Sequence, residues 1–337
     1  MSEFKKIYIN KQRDKRNCSI YPKFPKILKI DICNNCNYVC VFCPQSKQKS
    51  KVGCIDDELC RRLIKEAYEG GARELCLSMT GEPLLNKNLE SYIKEAKEIG
   101  YKYVFFNTNG YLANIERGRK ILESGVDSIK FSINASKKYY ELIHGVNGFD
   151  IVINNLINMD KYRKEKEIDC KLYVSYIAVK QTINESEEVR KLLEPYVDDF
   201  VVMNANNRAG SIDEVEKFLY AGEDEFTYQY PCSQLFNNVY VTAEGYMIIC
   251  CQDFENLTIV SDLNSENIIK AWNNEEFTNF RKKYLNKQLE GTLCWNCIYN
   301  DSSYVEPLNK ERAYYPICEQ KIKYLNYRIK EICNLEN

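Results

Sequence analysis

The sequence predicts an α/β fold, a parallel sheet with helices packed outside it, followed by a smaller cysteine-rich α+β region. Three observations carry this. Short runs rich in β-branched, aromatic or Leu residues alternate with amphipathic helical patterns from residue 26 to residue 204. The alternation stops near Ala205. Cysteines, already grouped at 33–43, then cluster again after Tyr230.

Strands are expected at 27–31, 74–79, 103–107, 128–133, 172–179 and 200–204, each short and apolar. Between the first two, a helix at 56–69 places Leu59, Cys60, Leu63, Ile64 and Ala67 on one face. Asp56 is its expected N-cap and Gly70 its stop. The stretch 88–99 repeats the pattern with Leu89, Tyr92, Ile93, Ala96 and Ile99, then Gly100. Further helices are expected at 115–124, 149–163 and 185–193. Strands joined by helices pair in parallel, and such folds gather their sites at the C-terminal strand ends. The acidic and aromatic stretch 211–230 reads as a connecting helix and loop, 239–249 as a hairpin turning at Ala243-Glu244-Gly245, and 268–285 as one helix. This divides the chain into an N-terminal extension (1–25), a parallel-sheet domain (26–205), a linker (206–231) and a second domain with a C-terminal helix (232–337).

Composition narrows the function. Lys and Arg number 47 against 48 Asp and Glu, a balance unlike that of a dedicated nucleic-acid or anionic-membrane binder. The apolar run at 172–179 is far too short to span a bilayer. The first 16 residues have no apolar segment behind their charges, so no secretory signal is expected and the cytoplasm is the expected location. There are sixteen cysteines and one histidine, His144. In a reducing compartment, free thiols, metal ligands or cluster ligands are the better reading of so many cysteines. One histidine leaves little room for a His-rich metal site or a Ser–His–Asp triad, and His144 itself reads as structural.

The loop after the first strand holds Cys36, Cys40 and Cys43 in the spacing C-x3-C-x2-C, with Phe42 before the third cysteine and Pro44 behind it. Three thiolates on one compact loop can hold three irons of a four-iron cluster and leave the fourth open to a small molecule. Cys33 precedes the loop, and a zinc site would want a fourth ligand. With this loop, the sequence resembles the radical S-adenosylmethionine (SAM) superfamily over 26–204. The resemblance implies a partial (β/α)6 barrel and a [4Fe–4S] cluster bound to SAM. An electron from the cluster would cleave SAM to methionine and a 5′-deoxyadenosyl radical, which takes a hydrogen atom from substrate.

Further matches follow in order. Thr80-Gly81-Glu82-Pro83 resembles the family's Gly-Gly-Glu-Pro motif, with Thr80 in place of the first glycine. Asn107-Thr108-Asn109-Gly110 is a family-like strand end. Ser132 and Asn134 alternate with Phe131 and Ile133 and are expected to share a face. The resemblance implies SAM contacts from Phe42, Gly81, Glu82, Pro83, Asn109, Ser132 and Asn134. The plainer readings are a Pro-initiated helical turn, an Asn-Gly turn and strand-end capping.

In the second region Cys232, Cys250-Cys251 and Cys294-Trp295-Asn296-Cys297 flank the expected hairpin and helix. Four thiolates can ligate a zinc ion or a four-iron cluster, and spacing alone does not choose. The run from Cys232 through Gly245 to Cys250 resembles the opening of a SPASM domain, as does the helix with Trp272, Asn273, Phe277 and Arg281. Only Cys318 and Cys333 follow Cys297, so the shortened "twitch" form with one auxiliary [4Fe–4S] cluster is the better match. The resemblance implies Cys232, Cys250, Cys294 and Cys297 as its ligands, with Cys318 an alternative.

A fully ligated cluster moves electrons rather than binding substrate. It would accept an electron from the substrate radical in a dehydrogenation. A thiol could instead quench that radical from its other face in an epimerisation, and Cys251 is the candidate donor, although packing under the cluster is its plainer role. The single-cluster spacing resembles that of aminocyclitol dehydrogenases, which implies a carbohydrate, sugar-nucleotide or aminocyclitol substrate and a reductase, flavodoxin or ferredoxin as electron donor. The rivals are a peptide-modifying SPASM maturase and a non-catalytic iron–sulfur or zinc protein.

Overall fold

The structure, a computed structural model, describes residues 17–47, 53–204, 208–211, 230–299, 301–313 and 319–335. Six strands run in parallel, each beside its sequence neighbour: β1 Ile27–Ile30, β2 Glu74–Cys76, β3 Tyr103–Thr108, β4 Ser128–Ser132, β5 Lys171–Ala178 and β6 Asp199–Asn204. The helices between them are α1 Asp57–Gly70, α2 Leu89–Ile99, α3 Ile115–Glu123, α4 Tyr140–His144, α5 Phe149–Glu165 and α6 Ser186–Leu193. This is a parallel-sheet α/β fold, as the sequence predicts.

Alternation along the strands divides the sheet into two unlike faces. Leu28, Ile30, Leu75, Val104, Phe106, Ile129, Phe131, Leu172 and Val174 join the helices in one apolar core. The other face carries Lys29, Cys76, Asn107, Ser128, Lys130, Ser132 and Ser175, and is the polar interior of the partial barrel.

The second region continues the same sheet. β7 Asn238–Val241 pairs in parallel with β1, setting Lys29 opposite Tyr240. β8 Tyr246–Ile248 and β9 Ile259–Asp262 then extend it antiparallel. Around these lie α7 Gln234–Asn237, α8 Ile268–Trp272, α9 Glu275–Leu285, α10 Leu293–Tyr299 and α11 Glu319–Asn334.

Two boundaries differ from expectation. Asp56 caps α1 through Leu59 N–H, but the left-handed stop is Gly71, at φ 117°, and Gly70 is the last helical residue. A Cβ at Gly70 would meet Ile269 and Phe24 at 2.9 and 3.0 Å, so packing explains that glycine. The single helix expected at 268–285 is two helices. Asn274 accepts from Phe277 N–H at 2.9 Å and starts α9, while its amide donates to Val260 O at 2.8 Å. The buried Arg281 donates to Trp272 O at 2.8 Å and so satisfies the end of α8. Of the expected connecting segment at 211–230, residues 212–229 lie outside the described residues, as does Cys318. Among the described residues no helix is long and apolar enough to cross a membrane.

Candidate cofactor and substrate site

The loop carrying Cys36, Cys40 and Cys43 leaves the C-terminal end of β1 and is pinned from two sides. Val39 N–H donates to His144 O at 3.1 Å and Val41 N–H to Ile143 O at 3.0 Å. From α11, Arg328 donates to Val39 O and, at 3.2 Å, to Leu142 O. The three cysteines are close enough that Cys43 and Cys36, with burial the larger cause, raise the Cys40 thiol well above its ordinary range. Their sulfurs face N–H donors. Cys36 Sγ accepts from Tyr38 N–H at 3.4 Å, and His144 Nδ1 lies 3.2 Å from Cys40 Sγ.

The ring of His144 has a defined tautomer. Its Nε2 lies 3.2 Å from the backbone N of Asn134, which can only donate. Nε2 is therefore the acceptor, and Nδ1 carries the hydrogen that points at Cys40. Burial, with the Arg328 charge adding to it, pushes the imidazole down to about 3 and keeps it neutral.

The motif at the end of β2 locks against this loop. A Cβ at Gly81 would lie 2.2 Å from Cys33 O and 2.4 Å from Asn35 O, so only glycine allows the approach. Next to it, Glu82 N–H donates to Asn35 O at 2.8 Å. The Glu82 carboxylate is buried and accepts from Leu84 N–H at 3.0 Å, Thr108 Oγ1 at 2.7 Å and Asn109 N–H at 2.7 Å. Burial raises its pKa to about 7 against the pull of these three bonds. Pro83 opens the short 3-10 turn Pro83–Leu85 that Glu82 caps.

Asn109 is held between motif and loop, its amide donating to Asn37 Oδ1 at 2.8 Å. Phe42 is buried beside His144, ring centroids 6.5 Å apart, and packs with Val41, Ile143 and the Leu325, Ile329 and Ile332 face of α11. Ser132 sits on the inner face of β4. Asn134, by contrast, is buried, and its Oδ1 accepts Ile177 N–H at 2.7 Å, so it ties β4 to β5. The expected shared face of Ser132 and Asn134 therefore ends in two different environments.

The second group of thiols is also brought together. Cys232, Cys250, Cys294 and Cys297 perturb one another's ionisation. Gln252 N–H donates to Cys250 Sγ at 3.4 Å. Cys251 lies beside Cys250 and faces the barrel interior. Its hydrogen bond with Cys250, together with the charges of Lys29 and Arg208 and a bond to Tyr240, favours its thiolate. Lys29 Nζ stands 5.3 Å from the Tyr240 ring centroid. Cys18, to which the sequence gave no role, lies near enough to Cys232 to raise it. Only the fold brings that residue there, and no spacing signal marks it. Arg328 and the His144–Cys40 contact were likewise outside the reach of local pattern.

Two thiol groups thus border one polar interior. Among the described residues no three Cys, His, Asp or Glu side chains form a group able to hold a single metal ion.

Comparison with known proteins agrees with this geometry. The radical SAM superfamily matches residues 30–193, and the SPASM iron–sulfur cluster-binding domain matches 232–298. An S-adenosyl-L-methionine-dependent 2-deoxy-scyllo-inosamine dehydrogenase of Niallia circulans is 25% identical over 287 residues, covering 82% of this chain and 93% of the relative. A crystal structure of BtrN with AdoMet and 2-DOIA shares the fold at TM-score 0.57 and 20% identity, covering 88% of this chain and 99% of that one. Streptococcus suis SuiB bound to its precursor peptide SuiA shares it at TM-score 0.61 and 15% identity, covering 77% and 66%.

Proposed function

Because the chain is a radical SAM enzyme that carries a SPASM iron–sulfur domain, we propose that it dehydrogenates a hydroxyl-bearing small molecule of carbohydrate type, a sugar, sugar nucleotide or aminocyclitol. One observation carries the reading. β7 pairs in parallel with β1 and β8 antiparallel with β7, so Cys250, just after β8, comes at the N-terminal end of these strands, whereas the loop of the first thiol group leaves the C-terminal end of β1. Substrate in the interior would stand between the two groups.

The residues suit the cofactors. Cys36, Cys40 and Cys43 are the proposed ligands of the SAM-binding cluster, and Cys232, Cys250, Cys294 and Cys297 those of the auxiliary cluster. N–H donors at the sulfurs of Cys36, Cys40 and Cys250 suit thiolate ligands. A zinc ion would draw four sulfurs to about 2.3 Å from one point. Metal analysis of the protein decides between that ion and the larger cluster. When bound, these groups supply a 5′-deoxyadenosyl radical and an acceptor for one further electron.

This chain's residues do the rest. Gly81 lets the backbone of the motif close on the cluster loop. Glu82 retains lone-pair capacity beyond its three internal donors and is proposed to hold the SAM ammonium group. Phe42 closes the back of the loop. Ser132 presents a hydroxyl on the inner face for SAM or substrate. Cys251 is proposed to exchange a proton or a hydrogen atom with substrate.

The test is iron and zinc per chain in a Cys36→Ala/Cys40→Ala/Cys43→Ala variant after anaerobic reconstitution. About four irons remaining supports the electron-acceptor role; about one zinc and no iron overturns it. A second reading, epimerisation with Cys251 as hydrogen donor, is favoured by the place of Cys251 in the interior. Turnover in deuterium oxide separates the two: epimerisation puts solvent deuterium on the reacting carbon, whereas dehydrogenation yields a carbonyl compound. A flavodoxin or ferredoxin is the proposed electron donor.

A further inference from the structure

Behind the first cysteine loop lies a buried cation that the function proposed above does not use. Arg328 of α11 is only 2% exposed. Its guanidinium donates to Val39 O, to Leu142 O at 3.2 Å and to Ile143 O at 3.4 Å. Tyr324, one turn earlier on α11, covers it, with its ring centroid 4.6 Å from Cζ. On another side it rests on Gly145, at φ 76°, where a Cβ would stand 2.9 Å from Cζ and Nη1. Nε is buried and has no hydrogen-bond partner among the described residues. All of these contacts are neutral. No acid contributes to the ionisation of Arg328, and no carboxylate pairs with it among the described residues.

A buried guanidinium with neutral partners alone is costly unless an anion stands near it. Docking of α11 does not require it. Leu325, Ile329 and Ile332 already pack that helix on Val41 and Phe42, and an apolar residue at 328 would complete the contact without burying a charge. The place of the guanidinium is specific instead. The Val39 carbonyl is bonded to the nitrogen of Cys40, and Ile143 and Gly145 are the chain neighbours of His144. His144 Nδ1 lies 3.2 Å from Cys40 Sγ, so the cation backs this histidine–cysteine pair. Its charge reaches both members: it opposes the rise of the Cys40 thiol and adds to the depression of the His144 imidazole.

We propose that Arg328 is a positioning residue that serves as the fixed counter-ion of the cluster on Cys36, Cys40 and Cys43 and favours its reduced state. This rests on the assignment of that cluster to the three cysteines, and not on the substrate read for the enzyme. A four-iron cluster on three thiolates is anionic and gains a further negative charge when it takes up an electron. A cation held at fixed distance therefore stabilises the reduced state more than the oxidised one, and burial strengthens the attraction. The guanidinium keeps its charge at every working pH. Its planar fork also bonds the cluster loop and α4 at once, which a single ammonium point charge does not match.

The test is a redox titration of the anaerobically reconstituted full chain without SAM, followed by electron paramagnetic resonance. The relevant signal is the one that changes when SAM is added to a reduced sample, since only an open iron takes that ligand. Arg328→Gln is expected to keep its iron and to lose at least tenfold in the equilibrium constant for one-electron reduction, a drop of about 59 mV in potential. Arg328→Lys keeps the charge and is expected within about threefold of the wild type. A wild-type potential in Arg328→Gln overturns the proposal. So does a potential in Arg328→Lys nearer to that of Arg328→Gln than to the wild type, because lost hydrogen bonds would then be the cause. If Arg328→Gln retains no iron, Arg328→Lys decides: iron and potential close to the wild type support the counter-ion, and any other result overturns it. A wild type with no SAM-sensitive signal removes the cluster from Cys36, Cys40 and Cys43, and this proposal with it. A SAM-sensitive signal whose potential ignores Arg328 removes this proposal alone.

Discussion

His144 Nδ1 lies 3.2 Å from Cys40 Sγ, and the backbone amide of Asn134 on the opposite ring nitrogen fixes the proton on the side of the sulfur. A hydrogen bond to a ligand sulfur stabilises the more negative, reduced cluster. Replacing His144 with Phe should lower the midpoint potential of the cluster proposed on Cys36, Cys40 and Cys43. The drop should be on the order of 60 mV, since about 1.4 kcal/mol corresponds to 59 mV for one electron. His144→Gln, which keeps a donor, should recover part of it. Redox titration followed by electron paramagnetic resonance reads the shift, and an unchanged potential in His144→Phe would remove the histidine from the cluster's environment.

The proposed role of Glu82 in holding the SAM ammonium group makes a prediction about pH. Its carboxyl is raised to about 7 by burial, and only the ionised form attracts an ammonium group. Raising the pH from 6 to 7.5 takes it from mostly protonated to mostly ionised while the α-ammonium of SAM, ordinarily at about 7.7–8.0, keeps most of its proton, so SAM affinity should rise several-fold over that range. Glu82→Gln should bind about tenfold or more weakly, with that slope gone. Equilibrium dialysis of labelled SAM against cluster-loaded protein decides it; a wild-type affinity that falls with pH contradicts the assignment.

Gly81→Ala should damage the cluster loop more than the sheet. The added carbon would press on Cys33 O and Asn35 O at 2.2 and 2.4 Å, both backbone atoms with little room to move. A cost of about 3 kcal/mol is expected, seen as a lower melting temperature and less iron per chain. Wild-type iron content in this variant would show that the close approach is dispensable.

Cys33 and Cys54 face each other in an isolated antiparallel bridge. Asn34 N–H donates to Gly53 O and Ile55 N–H to Ile32 O on either side of them, which makes theirs a non-hydrogen-bonded pair with closely set side chains. Hydrogen peroxide should link them, the two thiols losing two hydrogens as the peroxide becomes two waters. Peptide mass spectrometry after alkylation should find the 33–54 crosslink in the wild type and none in Cys54→Ser. Two alkylated cysteines after oxidation would count against it.

The expected fold was legible because the strands are short apolar runs and the helices carry clear faces; each expected strand and helix of the parallel sheet lies within a few residues of an observed one. The exception at 268–285 had a signal in Asn273-Asn274, two residues that compete with a helical backbone and favour caps. The radical SAM domain and an iron–sulfur second domain were legible from cysteine spacing. The surroundings of those cysteines were not. Asn134 joins β4 to β5 and contacts the histidine ring, because its place is set by a neighbouring strand. Cys18 approaches Cys232 across more than two hundred positions, and Arg328 reaches Val39 across 289. No local pattern encodes such pairs.

The reach of α11 back to the first loop fixes an order of events. Val41 and Phe42 share an apolar cluster with Leu325, Ile329 and Ile332, and Arg328 holds the Val39 carbonyl. On the ribosome, the three-cysteine motif emerges almost three hundred residues before its last wall is made. A nascent chain stopped short of residue 319 has the motif in full but leaves its apolar back open to water. A cluster on that loop, as proposed, is expected to load stably only once α11 has been made. Truncation ahead of α11 would leave every cysteine of the motif in place while removing the apolar face that backs it.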